Sequence, residues 1–225
     1  MKLVLLPGFM GVSTDWGAVI AALPGSISAT VLMAPYSDLL AERFVLCGYS
    51  MGGRVAISLA NSAGCRGVIS VSSSPGILDE TERPARRAAD EAIARRLEGL
   101  RNEAEFRAFL EEWWSQPVFG GSTLSPVSKE SLIASRLKLN PVEVAHHLRE
   151  FGPGAMRSHW EDWKHLSIPK LAIAGEGDPK YVALAKAMGS HEIVANSGHQ
   201  IPLEQPAELA RLIEKFWRQL PEVSG

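Results

Sequence analysis

The sequence predicts an α/β fold with a mainly parallel sheet, because short apolar runs alternate with segments of helical periodicity. The first predicted strand begins near residue 2, so we expect about six strands without the antiparallel strands that often precede them. The six runs with the length and apolar character of buried strands are Leu3–Leu6, Thr30–Ala34, Phe44–Cys47, Val68–Ser72, Leu171–Ala174 and His191–Ala195.

Helices are predicted between most of these strands, as parallel connections require. One connection departs from this pattern, because residues 35–43 are too few for an ordinary crossover helix. We therefore expect a reduced connection between the second and third strands. The apolar spacing predicts core helices over Asp15–Leu23, Gly53–Asn61, Tyr181–Met188 and Pro206–Leu220.

Residues 77–166 contain no predicted strand and interrupt the alternation. Charges of both signs are interleaved along the helical patterns of this stretch, which is typical of solvated helix faces. Its place between the fourth and fifth strands predicts a helical cap over the active site, inserted into a core of residues 1–76 and 167–225. Its predicted helices are Asp79–Leu100, Glu103–Trp114, Ser128–Lys138 and Pro141–Arg149.

Composition indicates an ordinary globular protein that is not expected to bind nucleic acid or a membrane. A net charge of −2 over 225 residues provides no basic field for nucleic acid or for an anionic membrane surface. No apolar run has the length of a membrane span, and the first one ends at Pro7, which is too early for a signal peptide. Cys47 and Cys65 have no metal-site spacing. We expect a cytoplasmic monomer or weak homo-oligomer, without metal or cofactor.

The segment Gly48–Gly52 reads Gly-Tyr-Ser-Met-Gly and lies between a predicted buried strand and a predicted helix. A Gly-x-Ser-x-Gly sequence at such a junction is the nucleophile elbow of the α/β-hydrolase fold. A serine in a simple glycine-rich turn is the alternative, and the strand and helix on either side favour the elbow. Ser50 is therefore the candidate reactive residue of an enzyme.

An elbow serine needs a base and an acid that orients the base, and in this fold they follow it in the order acid, then histidine. Asp178 follows the fifth predicted strand and His199 follows the sixth, so both should meet Ser50 at the carboxyl edge of the sheet. Glu176 is the second candidate for the acid. The alternatives are a turn aspartate and a loop histidine without catalytic roles.

The backbone amides of Phe9 and Met51 are the candidate oxyanion-hole donors. Phe9 lies in the glycine-containing turn after the first strand, and Met51 follows the elbow serine. These are the two positions from which this fold takes its oxyanion donors. A simple turn after the first strand is the alternative.

Several segments resemble the 2-succinyl-6-hydroxy-2,4-cyclohexadiene-1-carboxylate synthases of menaquinone biosynthesis, and the resemblance extends from Leu3 to the last helix. The elbow with its arginine and the Trp-x-x-Gln-Pro-Val-Phe motif are more specific than the fold. The segments that carry the resemblance are Gly48–Ala56, Pro75–Ile77 with Arg83 and Arg86, Trp113–Phe119, Gly175–Lys180 and Gly198–His199.

The resemblance implies a lyase that eliminates pyruvate from 2-succinyl-5-enolpyruvyl-6-hydroxy-3-cyclohexene-1-carboxylate, with Ser50 as base and without an acyl enzyme. It also implies that three arginines hold the carboxylates of this substrate, beside aromatic pocket residues. The arginines that match are Arg54, Arg86 and Arg136, and the aromatic residues are Tyr49 and Trp113.

The residues support this implication in part. Arg54 falls in the first turn of a predicted helix, where the helix dipole disfavours a cation, and bidentate anion binding would explain an arginine there. For Arg86 and Arg136, a salt bridge on a helix surface remains the alternative.

Two departures leave other activities open. Pro7-Gly8 replaces the His-Gly that the family has after the first strand, and the family's Asp-x-x-Gly-x-Gly loop is reduced to Ala34–Asp38. The alternative is a carboxylesterase or thioesterase that forms an acyl-serine. A non-catalytic receptor on the same scaffold is disfavoured by the intact serine, aspartate and histidine.

Overall fold

A computed structural model describes residues 1–36 and 43–221 and has six parallel strands in one sheet. The strands are β1 (Lys2–Leu6), β2 (Ala29–Val31), β3 (Phe44–Tyr49), β4 (Cys65–Val71), β5 (Lys170–Gly175) and β6 (His191–Val194). Their order in the sheet, β2-β1-β3-β4-β5-β6, places β1 and β4 on either side of β3, the strand that precedes the elbow. This architecture is the predicted α/β-hydrolase fold.

Helices follow most of the strands, and several more lie between β4 and β5. Short 3-10 segments occur at Ser13–Trp16, Glu80–Glu82 and Pro117–Phe119. The α-helices are α1 (Gly17–Ala22), α2 (Met51–Leu59), α3 (Arg83–Glu98), α4 (Glu103–Trp114), α5 (Pro126–Arg136), α6 (Pro141–Phe151), α7 (Trp160–His165), α8 (Pro179–Ala187), α9 (Ile201–Glu204) and α10 (Pro206–Arg218).

Three of the differences from the predicted elements have a local physical explanation. The predicted helix over Asp15–Leu23 is divided into a 3-10 segment and α1, and the Asp15 carboxylate accepts the Val12 amide at the start of that segment. Strand β2 ends at Val31, before Pro35, which has no amide proton for a ladder bond. Helix α7 was not predicted, since six residues are too few for a periodic pattern.

Alternating side chains of the strands fill two apolar layers, one on each face of the sheet. On one face Leu3 and Leu5 pack with α1 and α10, whereas on the other Val4 and Leu6 pack with α2 and α8. Both faces are therefore covered, as parallel sheets require. The elbow after β3 is fixed between two packed layers.

A third apolar cluster joins the inserted helices to the loop after β1. Ala94, Phe109 and Ile133 of α3, α4 and α5 pack with Met10 and Phe9 of that loop. The helices between β4 and β5 thus contact the loop that precedes the first core helix. Within residues 1–36 and 43–221, no helix combines the length and the apolar character needed to cross a bilayer.

The predicted reduced connection between β2 and β3 falls mainly on residues 37–42, which lie outside the described residues. The described part of that connection ends at Tyr36, whose amide donates to the Met33 carbonyl over 3.1 Å. Tyr36 itself is buried.

Candidate active site

Ser50 lies in a strained turn between β3 and α2, with φ 52° and ψ −113°. A Cβ at Gly48 would collide with the Gly52 carbonyl, so the turn requires glycine there. Hydrogen bonds on both sides hold this backbone in place: the Ser50 amide donates to the Val71 carbonyl (2.9 Å), and the Ser73 hydroxyl donates to the Ser50 carbonyl (2.6 Å). The backbone of Ser50 is thereby held in a conformation that bulky residues rarely adopt.

The structure brings together the three predicted residues Ser50, Asp178 and His199. His199 Nε2 lies 3.1 Å from Ser50 Oγ, and His199 Nδ1 lies 2.7 Å from Asp178 Oδ2. A carboxylate can only accept, so Nδ1 carries the proton and Nε2 is free to accept the serine proton. The histidine and the aspartate are both buried. This is the geometry of a serine activated by an oriented base.

Asp178 and Glu176 have different environments, which decides between the two candidate acids. Asp178 precedes α8, and its second oxygen, Oδ1, accepts the Tyr181 amide over 3.3 Å. Glu176 is exposed, and its carboxylate accepts the Asn196 amide over 3.4 Å. Only Asp178 contacts His199, so Glu176 is not in a position to orient the histidine.

Three aromatic rings surround the His199 imidazole. The ring centroids of Tyr181, Tyr49 and Phe119 lie 4.7, 5.5 and 5.7 Å from it. Burial raises the pKa of both Tyr181 and Tyr49, so their phenols remain protonated. Tyr181 was not predicted as a site residue, because its sequence position is that of an ordinary member of a core helix.

The amide of Phe9 has no acceptor within the described residues, and neither does that of Met51. The turn that holds Phe9 is closed by the Gly11 amide, which donates to the Gly8 carbonyl over 2.9 Å. Met51 is the first residue of α2, where amides have no partner within the helix. Both predicted oxyanion donors therefore remain available to a ligand.

Two clefts meet at Phe9 and Gly11. The arginine cleft is open to Ser50 and is lined also by Asp15, Tyr49, Trp113, Trp114, Phe119 and Arg136. The methionine cleft is lined also by Met10, Met33, Met51, Tyr36, Val144, Glu143 and His147. Trp113 meets the Phe9 ring edge-on at 5.1 Å, so these two rings form part of the wall between the clefts.

Arg54 is buried, and within the described residues its guanidinium has neither an ion pair nor a hydrogen bond. Its amide donates to the Ser50 carbonyl over 3.2 Å, which fixes it one helical turn from the elbow serine. Burial lowers the pKa of Arg54, and the positive charge of Arg86 lowers it further. An unpaired buried charge is costly, and a bound anion would offset that cost.

The other two predicted arginines already have acidic partners. Arg86 Nε donates to Asp90 Oδ1 over 2.8 Å within α3, and about two-fifths of the Arg86 side chain is exposed. Arg136 is buried in the arginine cleft, where its Nη2 donates to Asp15 Oδ2 over 2.6 Å. Only Arg54 among the three is without an acidic partner in the part of the chain that the structure describes.

Comparison with known proteins agrees with this geometry. The alpha/beta hydrolase family matches residues 3–212. The 2-succinyl-6-hydroxy-2,4-cyclohexadiene-1-carboxylate synthase of Klebsiella pneumoniae subsp. pneumoniae is 30% identical, over 91% of this chain and 89% of that protein. The enzyme of the same name from Serratia proteamaculans is 29% identical, over 95% of this chain and 92% of its own length.

Solved structures agree as well. MenH from S. aureus superposes with a TM-score of 0.84 at 27% identity, over 97% of this chain and 94% of that one. A thermophilic esterase from Thermogutta terrifontis gives a TM-score of 0.72 at 21% identity, over 97% of this chain and 90% of its own, which is a likeness of fold alone. The chain is therefore an enzyme of the alpha/beta hydrolase family, similar to the 2-succinyl-6-hydroxy-2,4-cyclohexadiene-1-carboxylate synthases.

Proposed function

We propose that this enzyme acts in menaquinone biosynthesis, eliminating pyruvate from 2-succinyl-5-enolpyruvyl-6-hydroxy-3-cyclohexene-1-carboxylate. The observation that carries the proposal is the buried Arg54, which has no acidic partner among the described residues and lies one helical turn from a serine that contacts His199. A base beside an anion site suits proton abstraction from a carboxylate-bearing substrate. The names of the relatives from Klebsiella and Serratia support the same reaction.

Ser50 acts as the base in the proposed reaction. His199 Nε2 takes the serine proton, and the serine oxygen then removes a proton from a ring carbon of the substrate. The electron pair of that C–H bond forms a new ring double bond, the existing ring double bond moves by one position, and the bond from the ring to the enolpyruvyl oxygen breaks. Ser50 is a hydroxyl again once it holds the ring proton, and the proton on His199 passes to the departing enolate to give pyruvate. Asp178 stabilises the imidazolium through the 2.7 Å contact.

Negative charge develops on a substrate oxygen when the ring proton leaves. The amides of Phe9 and Met51, which have no acceptor among the described residues, are the proposed donors to that oxygen. Donors already fixed by the fold stabilise such charge without a reorganisation cost. The Pro7 that replaces the family's histidine leaves both of these backbone donors in place.

The proposed substrate carries three carboxylates, and the three arginines would not receive them equally. Arg54 is free to bind one carboxylate through its planar fork. Arg86 and Arg136 each share their charge with an aspartate, so a substrate carboxylate there would join an existing ion pair. We further propose that residues 77–166 form a cap that supplies Arg86, Trp113 and Arg136 to the bound substrate.

The test is a coupled assay of pyruvate release from the enolpyruvyl precursor. Wild-type enzyme should release one pyruvate per substrate, and Ser50→Ala should abolish most of that release. Ser58→Ala is a matched control, because this serine lies on the same helix α2 and its hydroxyl donates only to the Val55 carbonyl. Absence of pyruvate from the wild-type reaction would reject the proposed activity.

A second candidate is hydrolysis of an apolar ester or thioester through an acyl-serine. The methionine cleft favours it, since much of its lining is apolar and no lysine or arginine is among the described residues that line it. Ser50 would then attack the acyl carbonyl, and water would release the acid. Burst release of nitrophenol from an activated ester, with covalent labelling of Ser50, would support this candidate.

A further inference from the structure

Two tyrosines from separate parts of the chain lie in the apolar layer around Arg54. Tyr36 ends the described segment after β2, and Tyr181 belongs to α8. Both pack in the same cluster as Val55, the neighbour of Arg54 in α2. The Tyr181 ring also lies 4.7 Å from the His199 ring, so this cluster reaches the catalytic histidine.

The phenol hydroxyls of these tyrosines have no hydrogen-bond partner within the described chain, and neither is among its fully buried unpaired atoms, although Tyr36 as a whole is buried and Tyr181 half-buried. Each hydroxyl is therefore accessible to a ligand and free to donate a hydrogen bond to it. Tyr36 also has a φ of 61°, a backbone conformation that bulky residues rarely adopt. It lines the methionine cleft together with Phe9 and Met51, which carry the proposed oxyanion donors.

Charge links both tyrosines to Arg54. Burial raises the pKa of Tyr36 and of Tyr181, and the nearby Arg54 charge opposes part of that rise in each. Both phenols therefore remain protonated at neutral pH, and each can donate one hydrogen bond to an acceptor. A carboxylate carries the charge opposite to that of Arg54, and its two oxygens can accept hydrogen bonds from two further donors.

We propose that Tyr36 and Tyr181 are specificity-determining residues, which donate their hydroxyl protons to the same ligand carboxylate that Arg54 binds. In the proposed reaction this carboxylate belongs to the substrate, so its assignment to the substrate rests on that function. The tyrosines add directional donors without adding positive charge. They would favour a planar anion over an uncharged amide or ester of similar size.

Binding of a small probe tests the proposal without requiring turnover. Succinate and its uncharged diamide, succinamide, would be titrated by calorimetry into wild type, Tyr36→Phe, Tyr181→Phe and the double variant. We expect wild type to prefer succinate, and each phenylalanine to raise the Kd of succinate about tenfold, as loss of one hydrogen bond to a charged group does. The Kd of succinamide should change little.

Ser58→Ala is the matched control, because it removes a hydroxyl from the same helix as Arg54 and this serine lines neither cleft. It should leave the preference for succinate over succinamide as it is in wild type. Phenylalanine keeps the ring packing, and equal melting temperatures would establish that all variants are folded.

Two results would overturn the proposal: a double variant that binds succinate as tightly as wild type, or a wild type that does not distinguish succinate from succinamide. Loss of the preference in Ser58→Ala as well would mean that the effect is not specific to the two tyrosines, and it would also overturn the proposal. Tyrosine-dependent succinate binding without pyruvate release would reject the proposed reaction and leave the carboxylate site standing. Pyruvate release together with succinate binding that does not depend on the tyrosines would reject the carboxylate site and leave the proposed reaction standing.

Discussion

Arg136 of α5 and Asp15, which follows β1, form an ion pair of 2.6 Å with at most about a tenth of either side chain exposed. The two residues are 121 positions apart, and their pair joins the inserted helices to the core inside the arginine cleft. Burial of a charge is tolerated only while the opposite charge remains beside it. The pair therefore both neutralises Arg136 and ties α5 to the loop after β1.

Asp15→Asn should destabilise the protein, because it leaves the Arg136 guanidinium buried without its counter-charge. Breaking such a pair from one side typically costs about 3–5 kcal/mol. The measurement is the free energy of unfolding in urea. The double variant Asp15→Asn/Arg136→Gln removes both charges and should recover much of the loss. An Asp15→Asn protein as stable as wild type would mean that the pair contributes nothing to the fold.

Ser50→Ala, His199→Ala and Asp178→Asn should each lower kcat, because the three side chains form one chain of contacts. Loss of a positioned base typically costs about 10²–10⁴ in rate. Because the residues act as a unit, the double variant Ser50→Ala/His199→Ala should be hardly slower than either single variant. The measurement is kcat for pyruvate release, with far-ultraviolet circular dichroism as the check on folding. If the losses in kcat of the two single variants multiplied in the double variant, that result would argue against a shared role.

The elbow and its partners were predictable from sequence, because chain order and the carboxyl edge of a parallel sheet bring them together. The choice of Asp178 over Glu176 was stated as a preference, and the contact with His199 supports it. The partner of Arg136 was not predictable, since no local pattern relates residues so far apart in sequence. Tyr181 was missed for a similar reason, because helical periodicity does not indicate which ring meets a distant imidazole.

Arg54→Lys should impair reaction of an anionic substrate more than reaction of a neutral one. Lysine keeps the charge but loses the planar fork that binds a carboxylate in two places. Loss of a charge-assisted contact costs about 1.5–3 kcal/mol, which corresponds to roughly ten- to a hundredfold in rate constant. The measurement is kcat/KM for pyruvate release and for a neutral aryl ester, in both proteins. Equal losses on the two substrates would mean that Arg54 only supports the elbow.

His147, which lines the methionine cleft, should make the fold less stable in mild acid. Burial lowers its pKa in the folded state, as does the charge of His146, while Glu143 and Glu150 oppose the shift. The unfolded chain therefore binds more protons as pH falls through about 6.5, and stability declines until the folded pKa is passed.

His147→Gln should accordingly reduce the difference in melting temperature between pH 7.5 and pH 5.5. His165→Gln is the control, because this histidine also belongs to a helix of the inserted region but is largely exposed. A pH dependence that is the same in His147→Gln and in wild type would assign the acid sensitivity to other groups.

Glu204 at the end of α9 should act as a positioning residue for His199. Its Oε2 accepts the Ser197 hydroxyl over 2.9 Å and also the Gly198 amide, so it fixes the two residues that precede the histidine. Glu204→Ala should leave this loop free to shift, and a shift of about 1 Å in a catalytic group can cost about a hundredfold in rate. We expect a loss in kcat with little change in KM, because Glu204 does not line either cleft.

Glu204→Gln is the variant that separates positioning from a mere loss of stability. The glutamine side chain retains an oxygen that can accept the same two donors, so kcat should recover most of the way to wild type. Glu208→Ala is the matched control on α10, since the Glu208 carboxylate pairs with Arg211 at the surface. If Glu204→Ala raised KM as much as it lowered kcat, or if Glu204→Gln were no better than alanine, the Glu204 oxygen would not be what holds His199 in place.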